Sequence, residues 1–428
     1  MMDPSQDMLV LMDDGVQSVE SPDPGIRVVK IYIQSLSSGD PHPLALHSPF
    51  QLVIYRAEGS CSYIVHDLAV YISGRTLALL FKTCAEGTEI RQILRSRVVI
   101  WDWISGQMVM DSSLCFDAEF EFSSREYVFG LFDSRTFFVA SPAASGSIRI
   151  YKLSENCMSK MDDISAPIHL ATFHLPPLVP GSAIRRVEAY SGPIENCNPF
   201  DSLPKMPFLV NDDDRLHFLS LLFEDIGRLD IDPPHTEFLQ IFFHQRIFTK
   251  NTSYSDSPTP LDVPWHEWGP ENTRIVYPGF LNPYFPRYIH GQRAIFSGPT
   301  DHVGGEFDFS YTKRAGILDF SLTAVSFARA SSSRVPPDVD SNALLSTFIS
   351  SPEMLQFSCK EPTLLPPSTV RTSDLPLLVN DLETCLPCVL TTKDFGDKLY
   401  AGYMIYGDGI LGLDINDEMH LSLDLYHV

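Results

Sequence analysis

VVIWDWISGQMVM, residues 98 to 110, reads as a strand, a two-residue reversal at Ser105 and Gly106, and a second strand. β-Branched and aromatic residues crowd a pleated surface well, and glycine supplies the turn. Alternation puts Val99, Trp101 and Trp103 on one face and Val98, Ile100 and Asp102 on the other. Both faces are largely apolar. A hairpin with one wet face alternates apolar with polar residues, so one that is apolar on both sides belongs in a sheet covered on each side by another. A β-propeller blade sits that way. Each indole buries roughly 150 to 250 Å², about 4 to 6 kcal/mol at ~25 cal/mol/Å² as an upper bound. Trp101 and Trp103 are therefore read as structural anchors of a blade, with Gly106 at its turn. Asp102, between them, is read as fixing the turn or bonding a neighbouring strand, not as an acid catalyst.

Strand-like runs extend from the hairpin in both directions. Upstream lie Gln6 to Met12, IRVVKIYIQS at 26 to 35, Gln51 to Ala57, Tyr63 to Tyr71 and Thr76 to Thr83. The second of these ends in Leu36-Ser37-Ser38-Gly39, an echo of Trp103-Ile104-Ser105-Gly106. Downstream, Phe116 to Phe122, Tyr127 to Phe132, Phe137 to Ala140 and Ile148 to Leu153 are separated by polar turns, the strand count of one blade. The pattern continues at His169 to Leu175, Arg185 to Tyr190, Leu216 to Phe223, Glu237 to Phe248, Arg287 to Phe296 and Gly316 to Phe327. It closes with Tyr400 to Tyr406, Ile410 to Ile415 and His420 to Tyr426. Residues 253 to 274, SYSDSPTPLDVPWHEWGPENTR, read as a distinct loop. Ser331 to Leu375 is Ser- and Pro-rich and reads as a long loop, with one short helix at Asn342 to Ile349. About two dozen strands and almost no long helix predict an all-β fold, an irregular, WD-repeat-like β-propeller. At four strands per blade it has about six to seven blades. Residues 1 to 428 are expected to form that single domain, closed by pairing the N-terminal strand with the C-terminal blade.

Composition narrows the function classes. The 428 residues are 44% hydrophobic, enough to bury a large core. With 31 basic against 54 acidic residues the formal charge is -23, which repels a phosphate backbone or an anionic membrane. Nucleic acid and membrane are set aside as partners. The 8 cysteines are too sparse for a disulfide scaffold and fit a reducing compartment. No leader-like start and no long uncharged apolar run occurs, so a cytoplasmic or nuclear location is expected.

Several clusters carry chemistry-bearing residue types. Gly407, Gly409 and Gly412 have dinucleotide-fingerprint spacing, but the residues after them are strand-like rather than helical, so the three read as a hairpin turn. Cys385 and Cys388 have thiol-pair spacing without a second pair for zinc, and read as structural thiols entering a strand. Asn211 to Asp214 lacks the spaced acids of a calcium loop and reads as a solvated turn. His290, Gln292 and Arg293 lie on or beside a strand with no nucleophile placed near them by any motif. Trp265, His266, Glu267 and Trp268 are the partner-binding candidate, since two exposed aromatics beside a histidine and a glutamate form a recognition patch. The same aromatics packed inward would plug one end of the barrel. No catalytic, cofactor or metal site is expected.

DPSQDMLVL at the start, SLSSGDPHPLA at 35 to 45, VVIWDWISGQ at 98 to 107 and NDDDRLHFLSLLF at 211 to 223 together resemble a known group. VPWHEWGPENTR at 263 to 274, YIHGQR at 288 to 293 and AGYMIYGDGILGLD at 401 to 414 continue the likeness in order. The chain resembles the C-terminal propeller-like region of the basidiomycete fungal F-box proteins. Members carry a short helical F-box ahead of the propeller, and this sequence shows none. Asp374-Leu375-Pro376-Leu377-Leu378 has the leucine-proline opening, but Pro387 stops any helix behind it. The resemblance implies the substrate-recognition half of a ubiquitin-ligase adaptor, able to recruit a ligase only if an F-box is encoded upstream.

The sequence thus leads to a non-enzymatic interaction protein that binds a protein partner, a basic one given the acidic surface. Two alternatives stand beside it: a hydrolase or oxidoreductase on the same scaffold with its site at the channel mouth, and a truncated relic without a ligase role.

Overall fold

The Trp101 hairpin forms with a longer turn than its sequence predicts. Asp102 pairs with Gln107, so the reversal takes the four residues Trp103 to Gly106. A two-residue turn at Ser105 and Gly106, of either primed type, would need positive φ at Ser105. Here Gly106 alone has it, at 73°. Asp102 sets the turn instead: its Oδ1 accepts the Ile104 and Ser105 N–H groups at 3.1 and 3.4 Å, and its Oδ2 accepts Arg75 Nη2 at 2.5 Å. The Trp103 indole N–H donates to the Gly74 carbonyl at 2.7 Å. The loop Leu36 to Gly39 repeats this geometry. Gly39 N–H donates to the Ser35 carbonyl as Gly106 N–H does to Asp102, both at 2.8 Å, and Gly39 has φ 76°. The capping acid there is Asp7, whose oxygens accept the Ser37 N–H at 2.7 Å and the Ser35 and Ser37 hydroxyls at 2.6 and 2.8 Å. Those bonds hold the Asp7 carboxyl below its usual range.

The structure is a computed structural model that describes residues 2–3, 6–13, 27–46, 48–54, 63–85, 93–112, 128–142, 145–154, 166–192, 212–225, 236–252, 259–277, 289–297, 302–303, 310–311, 314–330, 362–396, 398, 400–406, 409–415 and 421–427. It is all-β. Among the described residues the strands group into six sheets of three to five strands and two two-stranded ribbons. The chain divides into two compact units, the first drawn from Met1–Ser141 and Ile148–Ala171, the second from Pro142–Ser147, Thr172–Pro193 and Val210–Val428.

In the first unit, Met2–Asp3, Met8–Asp13, Arg27–Ser35 and Phe50–Ile54 form one antiparallel sheet in chain order. The next is Tyr63–Ser73, Thr76–Ala85, Ile93–Asp102 and Gln107–Asp111, again antiparallel in chain order. Val128–Leu131 and Thr136–Ser141 then open a third. The middle sheet is buried on both faces, as the hairpin's pattern requires. Val99, Trp101 and Trp103 join a core with Ile31, Ile33 and Phe50, while Val98 and Ile100 join another with Phe129, Leu131 and Phe137. Met2–Asp3 and Met8–Asp13 pair within their own sheet, and the expected pairing with the C-terminal strands is not found among the described residues.

In the second unit, Ser182–Ser191, Leu216–Asp225, Thr236–His244 and Thr273–Val276 form an antiparallel sheet. The following sheet orders Ile289–His290, Arg293–Ser297, Arg314–Asp319, Cys388–Asp394 and Thr363–Leu365, and the last is Gly402–Tyr406, Gly409–Ile415 and Leu421–His427. One apolar core, with Phe218, Phe242, Ile295, Ile317, Leu390 and Tyr403, serves all three.

Among the described residues, three short helices stand where strand or loop was expected. The run Glu237 to Phe248 breaks at Gln245, and α1 follows at Arg246–Thr252. Within the expected loop, α2 spans Trp265–Asn272. The run Gly316 to Phe327 leaves the sheet after Asp319, and α3 spans Leu322–Ala330. Ser321 explains that switch, because its Oγ accepts the Ala324 N–H at 3.2 Å as a helix N-cap does. Val325 and Ala328, three apart on one helical face, are then buried. Of the expected long loop at 331 to 375, residues 331 to 361 lie outside the described residues, Asn342 to Ile349 included, as does Phe116 to Phe122. The rest is not a loop throughout: Thr363–Leu365 pairs with Cys388–Asp394, and Ser368–Val370 with Leu382–Thr384. No described helix is long and apolar enough to cross a membrane.

Candidate functional site

The four residues of the partner-binding candidate are split by the helix that carries them. Pro264 is extended at the N-cap (φ -70°, ψ 154°), and the chain then turns helical at Trp265. Spacing of three puts both indoles on the same side of α2. Trp265 is 7% exposed and Trp268 1%, their rings edge to face at 5.0 Å. A Cβ at Gly269 would stand 2.4 Å from the Trp265 ring, so glycine permits this packing. The Trp268 indole N–H donates to the His174 carbonyl at 2.9 Å, and Phe173, Phe243 and Phe248 surround its ring at 5.7, 6.2 and 6.0 Å. Both indoles are thus core residues rather than exposed anchors, because helical spacing turns them inward together. His266 and Glu267 point the other way, their side chains 78% and 60% exposed.

Two neighbours extend this polar surface. His174 Nε2 and Asp262 Oδ1 pair at 2.6 Å, both well exposed, and the His174 carbonyl is the one that holds Trp268. Leu261, next to Asp262, is also exposed. His174–Asp262 and His266–Glu267 are thus two exposed histidine–acid pairs. No group of three or more metal-capable side chains occurs among the described residues.

On the buried side of the same cluster lies a pair that no motif marked. Ser191, the last residue of its strand, is directly opposite His217 in the antiparallel register. Its Oγ lies 2.7 Å from His217 Nδ1. His217 is fully buried, stacked on Phe243 at 5.7 Å, and its Nε2 faces Gln245 Oε1 at 3.4 Å. Burial first, and the Arg215 charge second, hold its pKa well below the ordinary histidine value. The turn between Ile289–His290 and Arg293–Ser297 closes over this pair. The Gly291 carbonyl accepts the Leu216 N–H at 3.4 Å, and a Cβ on Gly192 would stand 3.1 Å from it. Gly291 itself, at φ 57°, faces open space. So the chain brings Ser191 and His217 to the turn flanked by His290, Gln292 and Arg293, where the sequence offered no nucleophile. The available signal was His217 at an inward position of the apolar strand LHFLSLLF.

The other clusters take structural places. Gly409 pairs with Tyr406 in a hairpin, and Gly412 packs under the Tyr400 ring, 2.6 Å from where its Cβ would be. Gly407 lies outside the described residues. Cys388 opens a strand in the core, Cys385 is exposed, and neither is in a disulfide. The buried Arg274 donates to Cys388 Sγ at 3.4 Å and to the Pro366 carbonyl at 2.6 Å. Asp212–Asp214 is a single 3-10 turn, held by Arg246 on Asp214 at 3.2 Å.

Comparison with protein-family models, curated proteins and solved structures finds no match to this chain.

Proposed function

We propose that this chain is a protein-interaction module, folded as an irregular β-propeller of about six blades and resembling the substrate-recognition part of the fungal F-box adaptors. The fold reading is supported by antiparallel sheets built mostly from consecutive strands and by the middle sheet of the first unit, covered on both faces as a blade is. The binding reading rests on one observation: α2 buries Trp265 and Trp268 and turns His266 and Glu267 out into solvent. The partner is a protein, and the net charge of -23 favours a basic one. Recruitment of a ligase belongs to this reading only where an F-box is encoded upstream.

A photo-reactive amino acid at position 266, and another at the exposed Ser373, test the site in extract from the source cells. The expected result is a discrete crosslinked protein from 266 and not from 373. With that protein purified, Asp262→Lys combined with Glu267→Lys should weaken binding at least about threefold, and added salt should weaken the unmodified pair. Equal crosslinking from both positions, or affinity indifferent to both charge reversals, rules the face out.

A further inference from the structure

We infer that Ser191 and His217 form a nucleophilic dyad that cleaves carboxylic esters beside the Gly291 turn, with Gln245 as the positioning residue. This goes beyond the binding role, uses a different set of side chains and stands or falls independently of it.

The direction of each hydrogen bond follows from the groups present. Gln245 Oε1 only accepts, so the His217 nitrogen facing it, Nε2, carries the proton. That leaves Nδ1 with its lone pair toward Ser191, and the serine hydroxyl is the donor at 2.7 Å. A base, a hydroxyl donating to it, and a third group fixing the tautomer are the parts of an activated nucleophile, with a neutral amide in the third place as in cysteine–histidine–asparagine sites. Burial and Arg215 keep the imidazole unprotonated, with the lone pair an acceptor needs, as a weaker base than an ordinary histidine. Its plane is fixed by stacking on Phe243.

Access is on the serine side. His217 is sealed, but Ser191 is partly exposed at the end of its strand. In the reaction, Oγ bonds to the ester carbon as its proton moves to His217 Nδ1, and the carbonyl electrons move onto oxygen. Collapse expels the alkoxide, which takes the proton back from Nδ1. Water then repeats the sequence on the acyl-serine, releasing the acid and restoring the hydroxyl.

A fluorophosphonate probe on the full-length chain, with the adduct mapped by peptide mass spectrometry, tests the dyad. Labelling is expected at Ser191 and at no other serine, absent in Ser191→Ala, with p-nitrophenyl acetate hydrolysis lost in the same variant. Gln245→Leu should slow labelling by about ten- to a hundredfold and Gln245→Glu, which keeps an acceptor, should largely restore it. Ser191→Cys covers the case in which other variants fail to fold, since His217 would then make its thiol alkylate with iodoacetamide faster than Cys385. A folded chain with no adduct at Ser191, or a labelling rate unchanged by Gln245→Leu, or an ordinary thiol rate in Ser191→Cys, overturns the proposal.

Discussion

Two tryptophan pairs sit in this molecule under opposite rules. Trp101 lies at the end of a strand and Trp103 opens the turn behind it, both in one core, whereas Trp265 and Trp268 are three apart on a helix whose period puts both rings on one side. What differs is the residue between them. Asp102 is drawn into the structure, buried and bonded to Arg75 and to two backbone N–H groups of its turn. His266 and Glu267 are left in solvent. A hairpin covered on both faces has no outer side to offer a partner, whereas a helix lying over a core always has one.

The largest test of that contrast is to remove a ring from each pair. Trp103→Ala and Trp268→Ala should each cost about 3 to 5 kcal/mol in denaturant unfolding, since each indole is buried and loses a hydrogen bond as well as its packing. A cost under about 1 kcal/mol at Trp268 would make α2 a surface element after all.

Acid should separate the two regions next. The folded pKa of His217 is depressed, and that of His244 is too, both chiefly by burial. Unfolded histidines take up protons below about 6.5, so this part of the second unit's stability is complete above that pH and is lost as pH falls from it toward the folded values. Asp7 in the first unit is also depressed, by its serine bonds, but a carboxylate's contribution holds until pH falls below the ordinary aspartate range of about 3.9. His169 in the first unit has its pKa depressed by burial as well. Melting followed from pH 8 to 3 should therefore show both units weakening over the histidine range, the second, with two such histidines, by more, and His217→Gln should flatten that larger limb. A first loss confined below pH 4 would contradict the buried, neutral state of His217.

Smaller effects sharpen the contrast between the intervening residues. Asp102→Ala should cost about 1 to 2 kcal/mol through the turn bonds alone, because Arg75 is half exposed and remains solvated. Gly106→Ala should cost about 1 kcal/mol for its positive φ. His266→Ala and Glu267→Ala should each fall within about 0.5 kcal/mol of the parent. A larger stability cost at His266 would give it a structural duty and weaken its place in a binding face.

The hairpin was legible because its cause is local: alternation of apolar residues on both strand faces announces two-sided burial without knowledge of what does the covering. Its turn length was not, since the decisive bonds come from the Asp102 side chain and the φ of one glycine. The helix at 265 was hidden by Pro264 at its N-cap and Pro270 within it, which read as loop punctuation. In α3 the alternation of LDFSLTAV resembled a strand, and only the capping role of Ser321 separates the two readings. Ser191 and His217 are 26 residues apart and meet through strand register. A one-residue slip would turn one of them to the opposite face of the sheet.

Two-sided burial of the sheet around Trp101 also bears on how the sequence can drift. Val98 and Val99 are encoded side by side yet belong to separate cores. Compensating changes for one must arise among residues near Phe129 and Phe137, for the other near Ile31 and Phe50. Adjacent codons there evolve as members of two interleaved communities, each answerable to a different stretch of the gene.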